Sequence, residues 1–134
     1  MVFVCEHGAA KSIIAAAEFN KLAEQKGLPQ RAISRGTNPD PQFAPGVIEG
    51  MKKDRLPIPD GKPRTISPED VQSADRVVTL GCKLPEQVKA QSKPEDWSDV
   101  PPPSQGYEAS RTEIQRHVRQ LIDELSKEKP TKQR

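Results

Sequence analysis

The chain is poor in cysteine and in aromatic side chains. Its two cysteines, Cys5 and Cys82, stand far apart, too few and too separated to staple a small disulfide framework, and they fit a reducing compartment. One Trp, one Tyr and three Phe, with no dense basic patch among them, leave little to stack on bases. Nucleic-acid binding is therefore not expected. The two histidines, His7 and His117, form no ligand spacing with the cysteines, so neither a metal nor a cofactor is expected. Long apolar runs are missing as well. None approaches the ~18 residues that mark a helical membrane span, and no basic segment leads into an apolar stretch near Met1. The expectation is a cytoplasmic chain without a secretory signal or a membrane partner.

What remains is one domain by length, 134 residues, large enough for a real core. Hydrophobic residues make up 33% and the mean hydropathy is −0.77. Fourteen prolines fall mainly between the periodic segments. Residues 127–134 hold Lys127, Lys129, Lys132 and Arg134 against Glu128, a net of +3 that exceeds the overall +2 and leaves residues 1–126 at −1. The expected division is a domain over residues 1–126 and a basic, flexible tail over 127–134.

Alternating strand and helix signals organise the body. Val2-Phe3-Val4 reads as a strand. Ile14, Ala17, Phe19, Leu22 and Ala23 recur as a helical face that Gly27 ends, and Ser12 is placed to cap it. Ala32-Ile33-Ser34 is a second short strand. Phe43, Val47, Ile48 and Met51 have helical spacing, and Ser67-Pro68 is an N-cap followed by a first-turn proline. Val77 to Leu80 is a largely apolar run of the kind found in parallel strands buried on both sides. Residues 83–106 are proline-interrupted, with a short helix expected near Pro85–Ala90 and a short strand around Asp96 and Trp97. Ile114, Val118, Leu121, Ile122 and Leu125 form the clearest amphipathic helix, with His117 read as a surface or edge residue. This order argues for an α/β parallel sheet with helices on both faces, whose ligands bind outside the carboxyl ends of the strands.

That edge is where the chemistry collects. Between the first strand and the first helix lies Cys5-Glu6-His7-Gly8-Ala9-Ala10-Lys11-Ser12. A glycine-bearing turn into a helix aims backbone N–H groups at one point, which attracts an anion and lowers the pKa of a nearby thiol. The alternative for Cys5 is an inert core thiol; for Lys11 it is a solvent-facing lysine, although the first turn is electrostatically unfavourable for a cation.

The loop resembles the signature of the low-molecular-weight protein tyrosine phosphatases and the thiol-dependent arsenate reductases of the same fold: a cysteine, five residues, an arginine and a serine. Cys5 matches the nucleophile, Lys11 the arginine position and Ser12 the serine that supports the thiolate. Ser34-Arg35-Gly36-Thr37, Ala74 to Leu80 and Trp97-Ser98-Asp99-Val100-Pro101 resemble further family segments, so the likeness spans roughly residues 2–125. It implies a three-layer, four-stranded parallel sheet in the order 2-1-3-4, the phosphotyrosine phosphatase I-like fold. It also implies that Asp99 (or Asp96 in a shifted register) is the general acid–base, that residues 6–12 (Glu6, His7, Gly8, Ala9, Ala10, Lys11 and Ser12) bind the anion, and that Cys82 is a redox partner. The implied function is cysteine-dependent action on a phosphate monoester or on arsenate. Phosphate, sulfate or arsenate would be ligands, and a small thiol or thioredoxin-like reductant a partner.

The sequence departs from that pattern at His7, Gly8 and Lys11. Lysine offers a mobile point charge where arginine offers a planar fork. The alternative reading is a noncatalytic oxyanion-binding or thiol-redox protein on the same scaffold.

Overall fold

The computed structural model describes residues 1–88 and 94–132. Four strands, β1 (Val2–Cys5), β2 (Ile33–Gly36), β3 (Val77–Thr79) and β4 (Glu95–Asp96), form one sheet in the order β2-β1-β3-β4, with every pair parallel. Four helices accompany them: α1 (Lys11–Gln25), α2 (Pro45–Lys53), α3 (Pro68–Ser73) and α4 (Tyr107–Lys132). Strand order and layering are those expected.

Strand β1 is central because it can be: all four of its residues are buried. Phe3 and Cys5 face a core shared with α1, α2 and α4, while Val2 and Val4 face a smaller core with Ile66, Val71 and Val88. Phe3 anchors the larger core, its ring 6.1 Å from Phe19 and 5.3 Å from Trp97. The five periodic residues of α4, Ile114 to Leu125, are all buried. The run of alanines in α1 brings that helix close to the sheet, since Ala15, Ala16 and Ala17 are buried too.

Local chemistry accounts for most boundaries. Ser67 Oγ accepts the Asp70 N–H at 3.2 Å and Asp70 Oδ2 accepts the Ser67 N–H at 3.1 Å, a reciprocal box that starts α3. Gly27, at φ +70°, turns the chain out of α1, and the Leu28 N–H donates to the Ala23 carbonyl at 2.9 Å. Two expectations change. Ser12 lies inside α1 and makes no cap, because its hydroxyl is engaged with Cys5. The helix near Pro85–Ala90 is a single 3-10 turn over Glu86–Val88, with residues 89–90 outside the described ones. The backbone of α4 continues through Lys132, past the boundary drawn at 126. Among the described residues no helix is long and apolar enough to cross a membrane.

An ionic cluster ties three helices together. Glu18 of α1 is buried and takes a 2.6 Å bond from Arg111 of α4, which also lies 3.3 Å from Asp54 at the end of α2. Tyr107 donates its hydroxyl proton to Asp54 at 3.0 Å. Removing Arg111 leaves the buried Glu18 carboxylate without a countercharge, held among the described residues only by long bonds from Gln115 Nε2 at 3.4 and 3.5 Å. Arg111→Ala is expected to cost about 3 kcal/mol, the low end for a broken buried pair, read as a lower denaturant midpoint at unchanged slope. A second change, Glu18→Met, should recover most of that loss.

Candidate active site

Residues 6–10 join β1 to α1 and are held from outside by their carbonyl oxygens. The Cys5 carbonyl accepts the Thr37 N–H at 3.2 Å, Glu6 that of Asn38 at 2.7 Å, His7 that of Asp40 at 3.0 Å and Ala9 that of Ala44 at 3.0 Å. With the carbonyls turned toward the segment after β2, the amides turn the other way. Those of Glu6 to Ala10 donate to no acceptor among the described residues. Unpaired amides at a helix start are the means by which such loops hold anions. Gly8, at φ +63°, makes the turn possible, and Gly36 makes room for it. A Cβ on Gly36 would lie 2.8 Å from the Gly8 nitrogen, and one on Gly8 would lie 2.9 Å from the Gly36 nitrogen.

Cys5 is 4% exposed, and its Sγ lies 3.2 Å from Ser12 Oγ. As a thiol it donates to that oxygen; as a thiolate it accepts from the hydroxyl, so Ser12 supports either state. Lys11 is the first residue of α1, and its Nζ reaches across to the turn after β3, where a Cβ on Gly81 would meet it at 3.4 Å. Asp96 fixes that turn, its Oδ1 accepting the Gly81 N–H at 3.1 Å and the Thr79 hydroxyl at 2.8 Å. Both lone-pair directions of that oxygen are committed to structure.

Cys5, Glu6, His7, Ala10 and Lys11 line one cavity of about 610 Å³. Its remaining wall is largely apolar, from Ala44 and Val47 of the α2 side, Leu80, Pro102, Pro103 and Tyr107. No local motif signals the α2 and Tyr107 contributions. Tyr107 is seated against the flat backbone at Gly50, where a Cβ would lie 2.8 Å from its ring.

Asp99 is placed elsewhere. It does not line the cavity. His117 Nε2–H donates to its carboxylate at 2.9 Å, and Arg116 donates at 2.9 Å. His117 itself lies stacked on Trp97, centroids 4.5 Å apart and planes within 13°. It is a half-buried packing residue, and neither its helical spacing nor its polarity signalled that stack. The Asp99 pKa is held below the usual carboxylate range chiefly by the His117 hydrogen bond. Asp99, Glu113 and His117 offer ligand atoms within 4.8 Å of one another, but Arg116 already lies 2.9 Å from both carboxylates.

Cys82 follows β3 and packs with the Val2 and Val4 side of the sheet, its Sγ 3.6 Å from the Val4 carbonyl. Cys5 packs on the other side. Burial first, and then the neighbouring Cys5, push the Cys82 thiol up to about 11, so it is protonated and a weak nucleophile at neutral pH.

Over residues 1–131 the sequence matches the family described as low molecular weight phosphotyrosine protein phosphatase. The chain belongs to that family. A curated relative, a putative arsenate reductase of Halobacterium salinarum, is 27% identical over 129 residues, covering 92% of this chain and 91% of its own. The solution structure of a low molecular weight protein tyrosine phosphatase from Bacillus subtilis superposes with a TM-score of 0.78 at 23% identity, covering 96% and 97% of the two chains. An arsenate reductase in its phosphate-binding state gives 0.72 at 26%, covering 92% and 95%. The parallel β2-β1-β3-β4 sheet with its flanking helices matches the phosphotyrosine phosphatase I-like fold.

Two measurements probe this arrangement. Gly36→Ala should destabilise the fold by about 1–3 kcal/mol, the cost of overpacking, and weaken phosphate binding in calorimetric titration as the loop is displaced. The depressed Asp99 pKa contributes stability that is present above the ordinary carboxylate pKa of about 3.9 and lost as pH falls through the lower folded value. Between about pH 5 and pH 3, unfolding midpoints of the unmodified chain should therefore drop further than those of Asp99→Asn.

Proposed function

We propose that this protein is a cysteine-dependent phosphomonoesterase acting through Cys5. The observation that carries the reading is the Cys5–Ser12 pair on the wall of a cavity rimmed by unpaired loop amides and Lys11. The Cys5 thiolate would attack phosphorus, the S–P bond forming as the ester P–O bond breaks, and water would then release phosphate from the thiophosphate. Loop amides and the Lys11 ammonium neutralise the equatorial oxygens. The apolar wall formed by Val47, Leu80, Pro102 and Tyr107 suits an aryl or branched carbon group on the ester. Lysine in place of arginine supports a looser hold on the oxyanion, since it cannot grip two oxygens at once.

Arsenate reduction is the second reading, favoured by the name borne by the Halobacterium relative. Here Cys5 attacks arsenate, the S–As bond forming as one arsenate oxygen leaves as water, and a second thiol then attacks the Cys5 sulfur. Arsenic(V) leaves as arsenite while two thiols become a disulfide. Cys82 is protonated at neutral pH and packs against the opposite sheet face. A small thiol or thioredoxin-like reductant is therefore the better second thiol.

Hydrolysis of p-nitrophenyl phosphate and arsenite formation with glutathione or a thioredoxin system separate the two. Cys5→Ser is expected to abolish whichever activity is present. Lys11→Ala should weaken competitive inhibition by phosphate by about 1.5–3 kcal/mol, the scale of a charge-assisted hydrogen bond. Oxyanion binding without either turnover would leave an anion-binding protein on a phosphatase scaffold and overturn the enzymatic reading.

A further inference from the structure

We propose that His7, oriented by Asp40, is the proton donor to the leaving oxygen and the base for the attacking water. The inference rests on the phosphomonoesterase reading and adds a residue to it. An alkoxide or phenoxide leaves a phosphate poorly unless a proton reaches it as the P–O bond breaks. The site must therefore contain a donor, and the cavity narrows the choice.

Asp99 lies outside the cavity, paired with His117 and Arg116. Pro102 and Pro103, from the same loop, occupy its wall instead and carry no proton to give. The Tyr107 hydroxyl is spent on Asp54, and burial first, then that bond, raise its pKa well above the ordinary phenol value. Lys11 and Cys5 have other tasks. Glu6 is a carboxylate and His7 an imidazole; of the two side-chain types only imidazole cycles readily between donor and acceptor near neutrality.

The His7 geometry fits the task. Nδ1 lies 3.0 Å from Asp40 Oδ1. A carboxylate only accepts, so Nδ1 carries the proton in that bond and Nε2 is left as the exchanging nitrogen. The ring is fixed a second time through its backbone, whose carbonyl accepts the Asp40 N–H at 3.0 Å. Glu6 Oε1 stands 3.9 Å from Nε2, too far for a hydrogen bond, so that nitrogen stays open to the cavity. The ring is 54% exposed and lines the Cys5 cavity, so it meets both substrate and solvent water.

The step balances. Imidazolium, thiolate and phosphate ester give thiophosphate, neutral imidazole and the protonated alcohol. Neutral His7 then takes one proton from water as the oxygen joins phosphorus and the S–P bond breaks, regenerating thiolate and imidazolium and releasing hydrogen phosphate. Asp40 touches neither substrate nor reacting atoms and is a positioning residue.

Leaving-group dependence is the test. In single-turnover measurements His7→Asn should slow the burst with phenyl phosphate, a poor leaving group, by about 100-fold or more. With 2,4-dinitrophenyl phosphate, whose phenolate leaves unaided, the loss should stay under about tenfold. Asp40→Asn should give an intermediate loss with phenyl phosphate and little loss with 2,4-dinitrophenyl phosphate, because the partner that orients the imidazole is gone while Glu6, Lys11 and Cys5 remain. Inhibition by phosphate should persist in both variants, which reports an intact cradle. Equal loss on both esters, or none, overturns the assignment and leaves the Cys5 reading standing. Turnover that survives Cys5→Ser, or no turnover in the unmodified chain, overturns the phosphomonoesterase reading and this assignment with it.

Discussion

Everything at the site depends on where the carbonyl oxygens of residues 5–9 go. A loop of this length could satisfy its polar backbone in many ways, and most would scatter the amides. Here the segment after β2 supplies four N–H donors in sequence, from Thr37, Asn38, Asp40 and Ala44. Once the carbonyls are fixed on that side, peptide planarity sends the amides to the other. The Gly8–Gly36 approach allows this, since side chains on either residue would separate the two backbones. A cradle built this way has its amides oriented before any anion arrives, which is the condition for electrostatic stabilisation without reorganisation.

The same segment that holds the loop also supplies Asp40 to His7. Backbone and side chain thus act in one direction. The Asp40 N–H fixes the His7 peptide, and its carboxylate fixes the His7 ring. Across the cavity, Tyr107 is held by Asp54, which shares Arg111 with buried Glu18. The apolar wall is therefore tied to the packing of α1, α2 and α4, and the polar rim to the strand–loop joint. Changes to one can leave the other in place.

The fold was legible because its signals are local and repeated. Val2-Phe3-Val4 and Val77 to Leu80 announce buried parallel strands, Ser67-Pro68 announces α3, and the spacing from Ile114 to Leu125 announces the buried face of α4. The position of Cys5 at a strand-to-helix turn was legible for the same reason. The roles of His117 and Tyr107 were not, because each is decided by a partner distant in sequence. Ser12 carries the ordinary signature of a cap, and only the family resemblance pointed to the Cys5 Sγ beside which it lies. His117 looks like a surface residue until Trp97 is brought beneath it. Asp99 sits two residues after Trp97, and a one-dimensional pattern cannot tell which way its peptide faces. The ring stack and Arg116 draw its side chain onto α4.

That diversion has a chemical consequence. With Asp99 committed to α4 and proline at the cavity wall, the loop after Trp97 shapes the site without offering it a titratable group. Polar chemistry is then concentrated on one side, in residues 5–12 and the segment that braces them, while the facing side is apolar. On the proposed reading, an ester entering such a cavity would be oriented by contrast, its dianion toward the amides and Lys11 and its carbon portion toward Val47, Leu80 and Tyr107. The leaving oxygen lies at the boundary between the two. A proton donor carried on the cradle itself therefore needs no loop to close over the substrate. Cys5 and His7 are separated by a single residue, so in the proposed mechanism nucleophile and donor would keep their spacing through the backbone of one loop.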